Sequence, residues 1–234
     1  MIDRVMQAYE REGYLVRPDG SNQGTTAIYC KSDGKFIHTG GGVGAPDILW
    51  FYALSQVAII NRIFIVGNAA GYSTFVLASI FPGADIDVID AEIEGPDNTL
   101  GSSITRTIIS RDFPKVQLTI GRSPGDLDAA MRFPCYDLFF IDGRHVNDQL
   151  VADFSGCLPR AADRCVFYLH DVGLCNMHEG YNAILEKYPM VRGHDIPFSI
   201  LGCKVITVNH PDVAEWMTRM HCPGERLDKN PCIG

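Results

Sequence analysis

The sequence lacks an apolar run that could cross a bilayer, an excess of basic charge and a C-x-x-C pair. A membrane span needs roughly 18–20 predominantly apolar residues. The longest candidate, Ile48–Ile60, is too short and is broken by Ser55 and Gln56. A net charge of −8 argues against a nucleic-acid backbone as partner, which requires a basic surface. No secretory signal is visible after Met1, where Asp3 and Arg4 come at once, so the cytoplasm is the expected address. The chain has 8 cysteines in 234 residues, long enough to bury a full core without covalent staples. Reduced thiols are expected, with Cys165 and Cys203 as small core residues. Cys222 and Cys232, in a Pro/Gly-rich tail, are the pair that oxidation could join. Repeats and low-complexity tracts are also missing.

What is there is organised around Arg62–Thr74, R-I-F-I-V-G-N-A-A-G-Y-S-T. Ile63–Val66 is an apolar, β-branched run long enough for a buried strand. Gly67 and Gly71 bracket a tight turn, and Ser73-Thr74 opens the apolar helix that follows. Strand, glycine turn and helix form the unit in which an α/β protein receives a nucleotide. The spacing is G-x-x-x-G, without the third glycine of a dinucleotide fingerprint.

The rest of the chain repeats this alternation. Apolar spacing from Met1 to Gly13 predicts a helix. Tyr14–Gly24 reads as a polar connection, and Thr25–Cys30 and Lys35–Thr39 as a hairpin joined at Asp33-Gly34. Gly40–Gly44 reads as a flexible joint or a loop across a pocket. Pro46–Ile60 is a predicted helix, with Ile48, Leu49, Tyr52 and Ala53 on one face. Further strands are predicted at Ile86–Asp90, Val116–Ile120, Leu138–Asp142, Val166–Asp171 and Lys204–Val208, with helices between them. The expectation is an α/β fold with a doubly wound, mostly parallel sheet. Residues 1–45 would be a helix-plus-hairpin extension serving as lid or dimer arm, 46–210 the main domain and 211–234 a tail.

Ligands of such sheets lie beyond the carboxyl ends of the strands. Those ends carry Gly67, Asp90, Asp142 and His170-Asp171. Asp90 could accept both hydroxyls of a ribose, as could Glu92, or either could be a solvated loop acid. Asp142, His170 and Asp171 end neighbouring strands, and two carboxylates with an imidazole suit a divalent cation. The oxygens fit Mg²⁺ or Ca²⁺ and the imidazole tilts the choice towards Mn²⁺, Fe²⁺ or Zn²⁺, with Mg²⁺ or Mn²⁺ the expected ion. His145, three residues past Asp142, could stand beside the ion as a general base. The bland alternative has the two acids capping loops and the histidines hydrogen-bonding locally. Tyr29, Phe36, Trp50 and Tyr52 hint at a ring-bearing acceptor, and core packing explains them equally well.

I-V-G-N-A-A-G-Y-S-T, the acid of V-I-D-A-E, D-L-F-F-I-D-G-R-H and V-F-Y-L-H-D-V together resemble the class I S-adenosylmethionine-dependent methyltransferases. The likeness is nearest to the small cation-dependent O-methyltransferases, of the catechol and caffeoyl-CoA type and of macrolide and aminocoumarin sugars. It spans about Pro46–Val208 and implies a Rossmann-like methyltransferase fold. It further implies S-adenosylmethionine bound by Gly67, Asn68, Gly71, Ser73, Asp90, Ser123 and Asp142. Within that set Gly67 and Gly71 would line the methionine part, Asp90 would hold the ribose, and Ser123 would lie near the adenine. A divalent cation would sit on Asp142, His170 and Asp171, with His145 as catalytic base. Two departures stand out: Ile65 replaces an acid usual before the first glycine, and the second metal pair is His-Asp. The implied reaction is transfer of a methyl group to an oxygen of a small molecule such as a diol, catechol, phenol or sugar hydroxyl. Neither a nucleic acid nor a membrane is expected as partner. A metal-independent N- or O-methyltransferase and a nicotinamide-dependent Rossmann oxidoreductase are the alternatives left open.

Overall fold

The computed structural model describes residues 2–18, 26–39, 42–93 and 98–221. Gly40 and Gly41 of the glycine run, and the tail thiols Cys222 and Cys232, lie outside the described residues.

The chain opens with α1 (Ile2–Arg11), followed by β1 (Tyr14–Pro18), β2 (Thr26–Cys30) and β3 (Phe36–Thr39). These three strands form a small antiparallel sheet in sequence order. β1 occupies part of what the sequence presented as a polar connection. Its residues pair one for one with β2, from Tyr14 against Cys30 to Pro18 against Thr26, so cross-strand pairing overrides a weak local signal. The main body runs α2 (Ala45–Val57), β4 (Arg62–Val66), α3 (Tyr72–Ile80), β5 (Asp85–Asp90), α4 (Asn98–Asp112) and β6 (Val116–Ile120). It continues through α5 (Leu127–Ala130), β7 (Tyr136–Ile141), α6 (Asn147–Cys157), β8 (Ala161–Leu169), α7 (His178–Lys187), β9 (Val191–Asp195), β10 (Lys204–Val208) and α8 (Pro211–His221).

The large sheet has the order β6-β5-β4-β7-β8-β10-β9. It is parallel from β6 to β8, while β10 runs antiparallel to both β8 and β9. The strand β9 was not expected. Its V-R-G-H-D is polar and carries a glycine, and only pairing with β10 makes it a strand.

Period-two alternation on β4 builds the two faces. Ile63 and Ile65 point into a core shared with α1, α2, α3, α4 and α8, while Phe64 and Val66 point into one shared with α5, α6 and α7. Buried on both faces, the strand reads as a continuous apolar run. The first helix belongs to this core: Val5, Ala8 and Tyr9 are fully buried, and the Tyr9 hydroxyl donates to the Ala70 carbonyl at 2.6 Å. Arg11 pairs with Asp112 and Arg111 with Glu12, which ties α1 and its end to α4, while Arg111 also pairs with its neighbour Asp112.

The buried face of α2 corrects the sequence expectation. Asp47, Trp50, Phe51 and Leu54 turn inward, whereas Leu49 is 64% and Tyr52 52% exposed. This helix is apolar around much of its circumference, so periodicity does not choose a face. The choice falls to the aromatics: Phe51 lies 4.6 Å and Trp50 4.9 Å, centroid to centroid, from Tyr168 of β8. Burying rings of this size stabilises by roughly 1.5–3 kcal/mol each. Cys165 and Cys203 are buried in the core, as expected, with Cys203 close to Asp47 and His170, and no disulfide occurs among the described residues.

Candidate active site

The strand order reverses between β4 and β7, and the loops leaving these neighbours part to open a cavity of about 400 Å³. That volume falls within the roughly 300–1,000 Å³ of small-molecule sites. Hydrogen bonds continue past the strand ends and fix the rim. Gly67 N–H donates to the Ile89 carbonyl at 2.9 Å, Asp142 N–H to Val66 at 2.8 Å, and His170 N–H to Ile141 at 3.0 Å.

One wall is the turn after β4. Gly67 has φ +94°, and a Cβ there would lie 2.0 Å from the Asp142 carbonyl oxygen, so only glycine lets the two loops meet. Asp90, at the end of β5, holds this turn. Its Oδ2 accepts from Asn68 N–H at 2.6 Å and Ala69 N–H at 3.0 Å, and its Oδ1 accepts from Glu92 N–H at 2.7 Å. The Asn68 side chain is pinned in turn by Ala69, Thr105 and Thr74. Ser73 Oγ accepts from Val43 N–H at 3.1 Å, which draws the glycine-rich segment over the cavity, where Gly42 joins the lining.

The opposite wall is made of side chains. Asp142 Oδ1 lies 3.1 Å from His145 Nε2 and 3.1 Å from His170 Nδ1. Asp171 Oδ1 stands 3.3 Å from His170 Nδ1, and Asp171 Oδ2 3.7 Å from His145 Nε2. Burial alone would raise the Asp142 carboxyl, but the charges and hydrogen bonds of His170 and His145 hold it well below the usual range. The hydrogen bond from Asp142 raises His145, against the opposing effect of burial. Burial would lower His170, and the facing carboxylates, Asp142 foremost, push it up instead. Asp171 adopts φ +54°, a left-handed backbone rare outside glycine and frequent at functional sites.

Asp47 belongs to this wall and was not singled out in the sequence. It is 3% exposed, its Oδ2 accepts from Gly44 N–H at 2.8 Å, and its Oδ1 accepts the Tyr168 hydroxyl. The same carboxylate stands 3.8 Å from His170 Nε2, an ion-pair distance, so the imidazole lies between acids on both sides. Its local signal, a Gly-Ala-Pro-Asp helix start, indicates a helix cap and nothing more. The one acid of a third group, Asp153, which accepts from Ser123 and Gln149, was likewise hidden in a helix.

Gly67, Asn68, Ser73, Asp90, Ser123, Asp142, His145 and Asp171 all line the cavity. Gly71 and His170 do not. Gly71, at φ +88°, opens α3, and a Cβ there would strike Thr105 and Phe75, so its role is in packing the helix. His170 sits behind the carboxylates at 2% exposure. None of Tyr29, Phe36, Trp50 and Tyr52 lines the cavity.

Residues 65–172, which hold both walls, match the family model of a methyltransferase domain (Methyltransf_24). Over that stretch, just under half of its length, the chain is similar to a methyltransferase domain. Solved structures share the methyltransferase fold. One is the O-methyltransferase of Bacillus cereus in complex with SAH (19% identity, 72% of this chain and 82% of that one, TM-score 0.58). Another is TomG of Streptomyces achromogenes, an O-methyltransferase of tomaymycin synthesis in complex with SAM (16%, 89% and 89%, TM-score 0.62). A third is a putative caffeoyl-CoA O-methyltransferase of Staphylococcus aureus (16%, 71% and 84%, TM-score 0.56). No curated protein matches the sequence. No helix among the described residues is long and apolar enough to cross a membrane.

Proposed function

We propose that this chain is an S-adenosylmethionine-dependent methyltransferase that acts in the cytoplasm on an oxygen of a small molecule, with a divalent cation on Asp142, His170 and Asp171 and with His145 as general base. One observation carries the reading: a base and a ligand set share one wall of a cavity whose other wall is the glycine turn. The donor set fits a cation. Asp142, His170 and Asp171 each offer an atom within 4.8 Å of the others, and Asp171 Oδ1 is buried without a hydrogen bond. Mg²⁺ or Mn²⁺ suits two carboxylates and an imidazole, and when bound lowers the pKa of a coordinated hydroxyl.

The methyl donor is a sulfonium cation, so transfer is an in-line displacement that needs alignment and an acceptor relieved of its proton. The glycine turn and Asp90 fix the donor's place. With its Nε2–H donated to Asp142, His145 keeps its lone pair on Nδ1, and that nitrogen takes the acceptor's proton as the O–CH₃ bond forms and the S–CH₃ bond breaks. Asp142 and Asp171 then steady the imidazolium.

A second reading, a metal-independent methyltransferase with His145 as base, is favoured by His170. Its ring already lies between Asp142 and Asp171 on one side and Asp47 on the other, and once protonated it offsets part of their charge without an ion. Turnover across a panel of catechols, phenols and sugar diols in excess EDTA separates the two. The cation reading expects activity lost and then restored by Mg²⁺ or Mn²⁺. Activity indifferent to EDTA, and lost only in His145→Ala, leaves the second.

A further inference from the structure

We infer that His145, Asp171 and Cys175 form a second cation site at the cavity wall, one of softer chemistry that takes Zn²⁺. Each of the three offers a ligand atom within 4.8 Å of the others, and all three are partly exposed, which gives an ion a way in. The set shares only Asp171 with the cation site proposed above, and it meets that carboxylate from the other side. Asp171 Oδ1 stands 3.3 Å from His170 Nδ1, whereas Asp171 Oδ2 stands 3.7 Å from His145 Nε2. One carboxylate thus presents an oxygen to each set.

Cys175 decides the kind of ion. Its N–H donates to the Asp171 carbonyl at 2.9 Å, which folds the loop after β8 back by one turn and brings the thiol to the acid. The thiol is free, and burial with the carboxylates of Asp171 and Asp142 pushes it above its ordinary range. Coordination reverses that effect: the S–H proton leaves to solvent as the S–Zn bond forms. Thiolate and imidazole favour zinc over the oxygen-seeking Mg²⁺, and three protein ligands leave a fourth position for water. Ligand atoms of a tetrahedral zinc stand roughly 3.3–3.8 Å apart, so shifts of about 1 Å complete the shell. Another set, Asp47, His170 and Cys203, meets the same distance but is buried throughout, which denies an ion entry. A neutral imidazole has one lone pair, and zinc on His145 takes it. Zinc is then a brake on turnover, a consequence that rests on His145 being the base, whereas the ligation itself does not.

Co²⁺ stands in for colourless zinc, because a thiolate bound to it adds a charge-transfer absorption band. The full chain, kept reduced, is titrated with Co²⁺ and with Zn²⁺ as parent, Cys175→Ser and His145→Ala. The parent should show the band, and Zn²⁺ should abolish it. Cys175→Ser should lose the band, and both variants should bind Zn²⁺ more weakly than the parent by roughly 10-fold or more. A band that survives in Cys175→Ser belongs to another thiol and overturns the inference. So does a Zn²⁺ affinity unchanged in either variant. Co²⁺ bound by the parent without a band overturns the soft site and leaves the cation of Asp142, His170 and Asp171 standing. A parent that binds neither ion overturns both.

Discussion

The wall formed by the ends of β4, β5 and β6 and the wall formed by the ends of β7 and β8 face each other across one cavity, and they are built differently. The first is mostly backbone. Gly67, Asn68 and Ala69 are shaped by φ angles and by N–H groups gathered on Asp90, and the one side-chain amide there is pinned inside the protein. The second is side chain against side chain: Asp142, His145, His170 and Asp171, backed by Asp47 from a distant helix. A backbone wall tolerates removal of side chains and fails when one is added. A side-chain wall behaves the other way round.

That contrast can be broken by mutation. The largest effect is expected on the side-chain wall, where His145→Ala should lower turnover by roughly 10²–10⁴-fold, the usual span for a general base. Affinity for S-adenosylhomocysteine should stay within a factor of two or so of the parent, and the residual rate should climb with pH as the acceptor ionises unaided. Unchanged turnover in His145→Ala would remove that residue from the chemistry. Asp142→Ala should be rescued in part by raised Mg²⁺, whereas His145→Ala should not.

On the backbone wall the damaging change is an addition. Gly67→Ala would place a methyl 2.0 Å from the Asp142 carbonyl oxygen at a φ of +94°. The two loops must then separate, and cofactor affinity should fall 100-fold or more, about 2.7 kcal/mol, with a lower melting temperature. Normal affinity in a folded Gly67→Ala would mean that the turn is not the cofactor's cradle. Removal of Asp90 should cost less. Asp90→Ala releases three backbone N–H groups together with any ribose contact, and about 1.5–3 kcal/mol of cofactor affinity should go with it. Glu92→Ala should cost a smaller amount, and the reverse order in a titration would transfer the ribose to Glu92.

The smallest effect lies away from both walls, at the clasp of α1 on α4. Burial would raise the Asp112 carboxyl, but Arg111 and Arg11 outweigh it and hold the group below its usual range. A depressed carboxyl stabilises the fold above its unfolded pKa of about 3.9, and the contribution fades as pH falls through the folded value. Asp112→Asn should thus cost about 0.5–1 kcal/mol near pH 7, since both arginines are partly solvated. Denaturant melts of parent and variant should converge as pH falls below the folded value of Asp112. A constant difference across that range would assign the loss to packing of α1 instead of charge.

The legibility of the sequence follows the same division. The glycine turn was readable because its parts are contiguous: a β-branched strand, two glycines and a helix start within thirteen residues state their own geometry. The strand-end acids Asp90 and Asp142 were readable for a related reason, because an apolar run that stops at an acid marks where a buried strand meets solvent. The inward face of α2 was not readable, because a helix apolar all round leaves the choice to volume, and Trp50 and Phe51 fit against Tyr168 where Leu49 and Tyr52 do not. β9 was invisible for want of any hydrophobic pattern.

By itself, then, the sequence determined the alternation of strands and helices, the backbone turn that suits a nucleotide, and the residue types at each strand's end. All of these are local, set by side-chain periodicity and backbone freedom over a few residues. Tertiary structure alone decided which of those ends meet. The order β6-β5-β4-β7-β8 puts Gly67 beside Asp142 and His170 beside Asp142 and Asp47, and it turns Asp153 from a helix position into a wall of the cavity. Such meetings depend on through-space distances between segments up to more than a hundred residues apart, as between Asp47 and Tyr168. No local pattern encodes them; they follow only when the two apolar faces of the sheet have been covered.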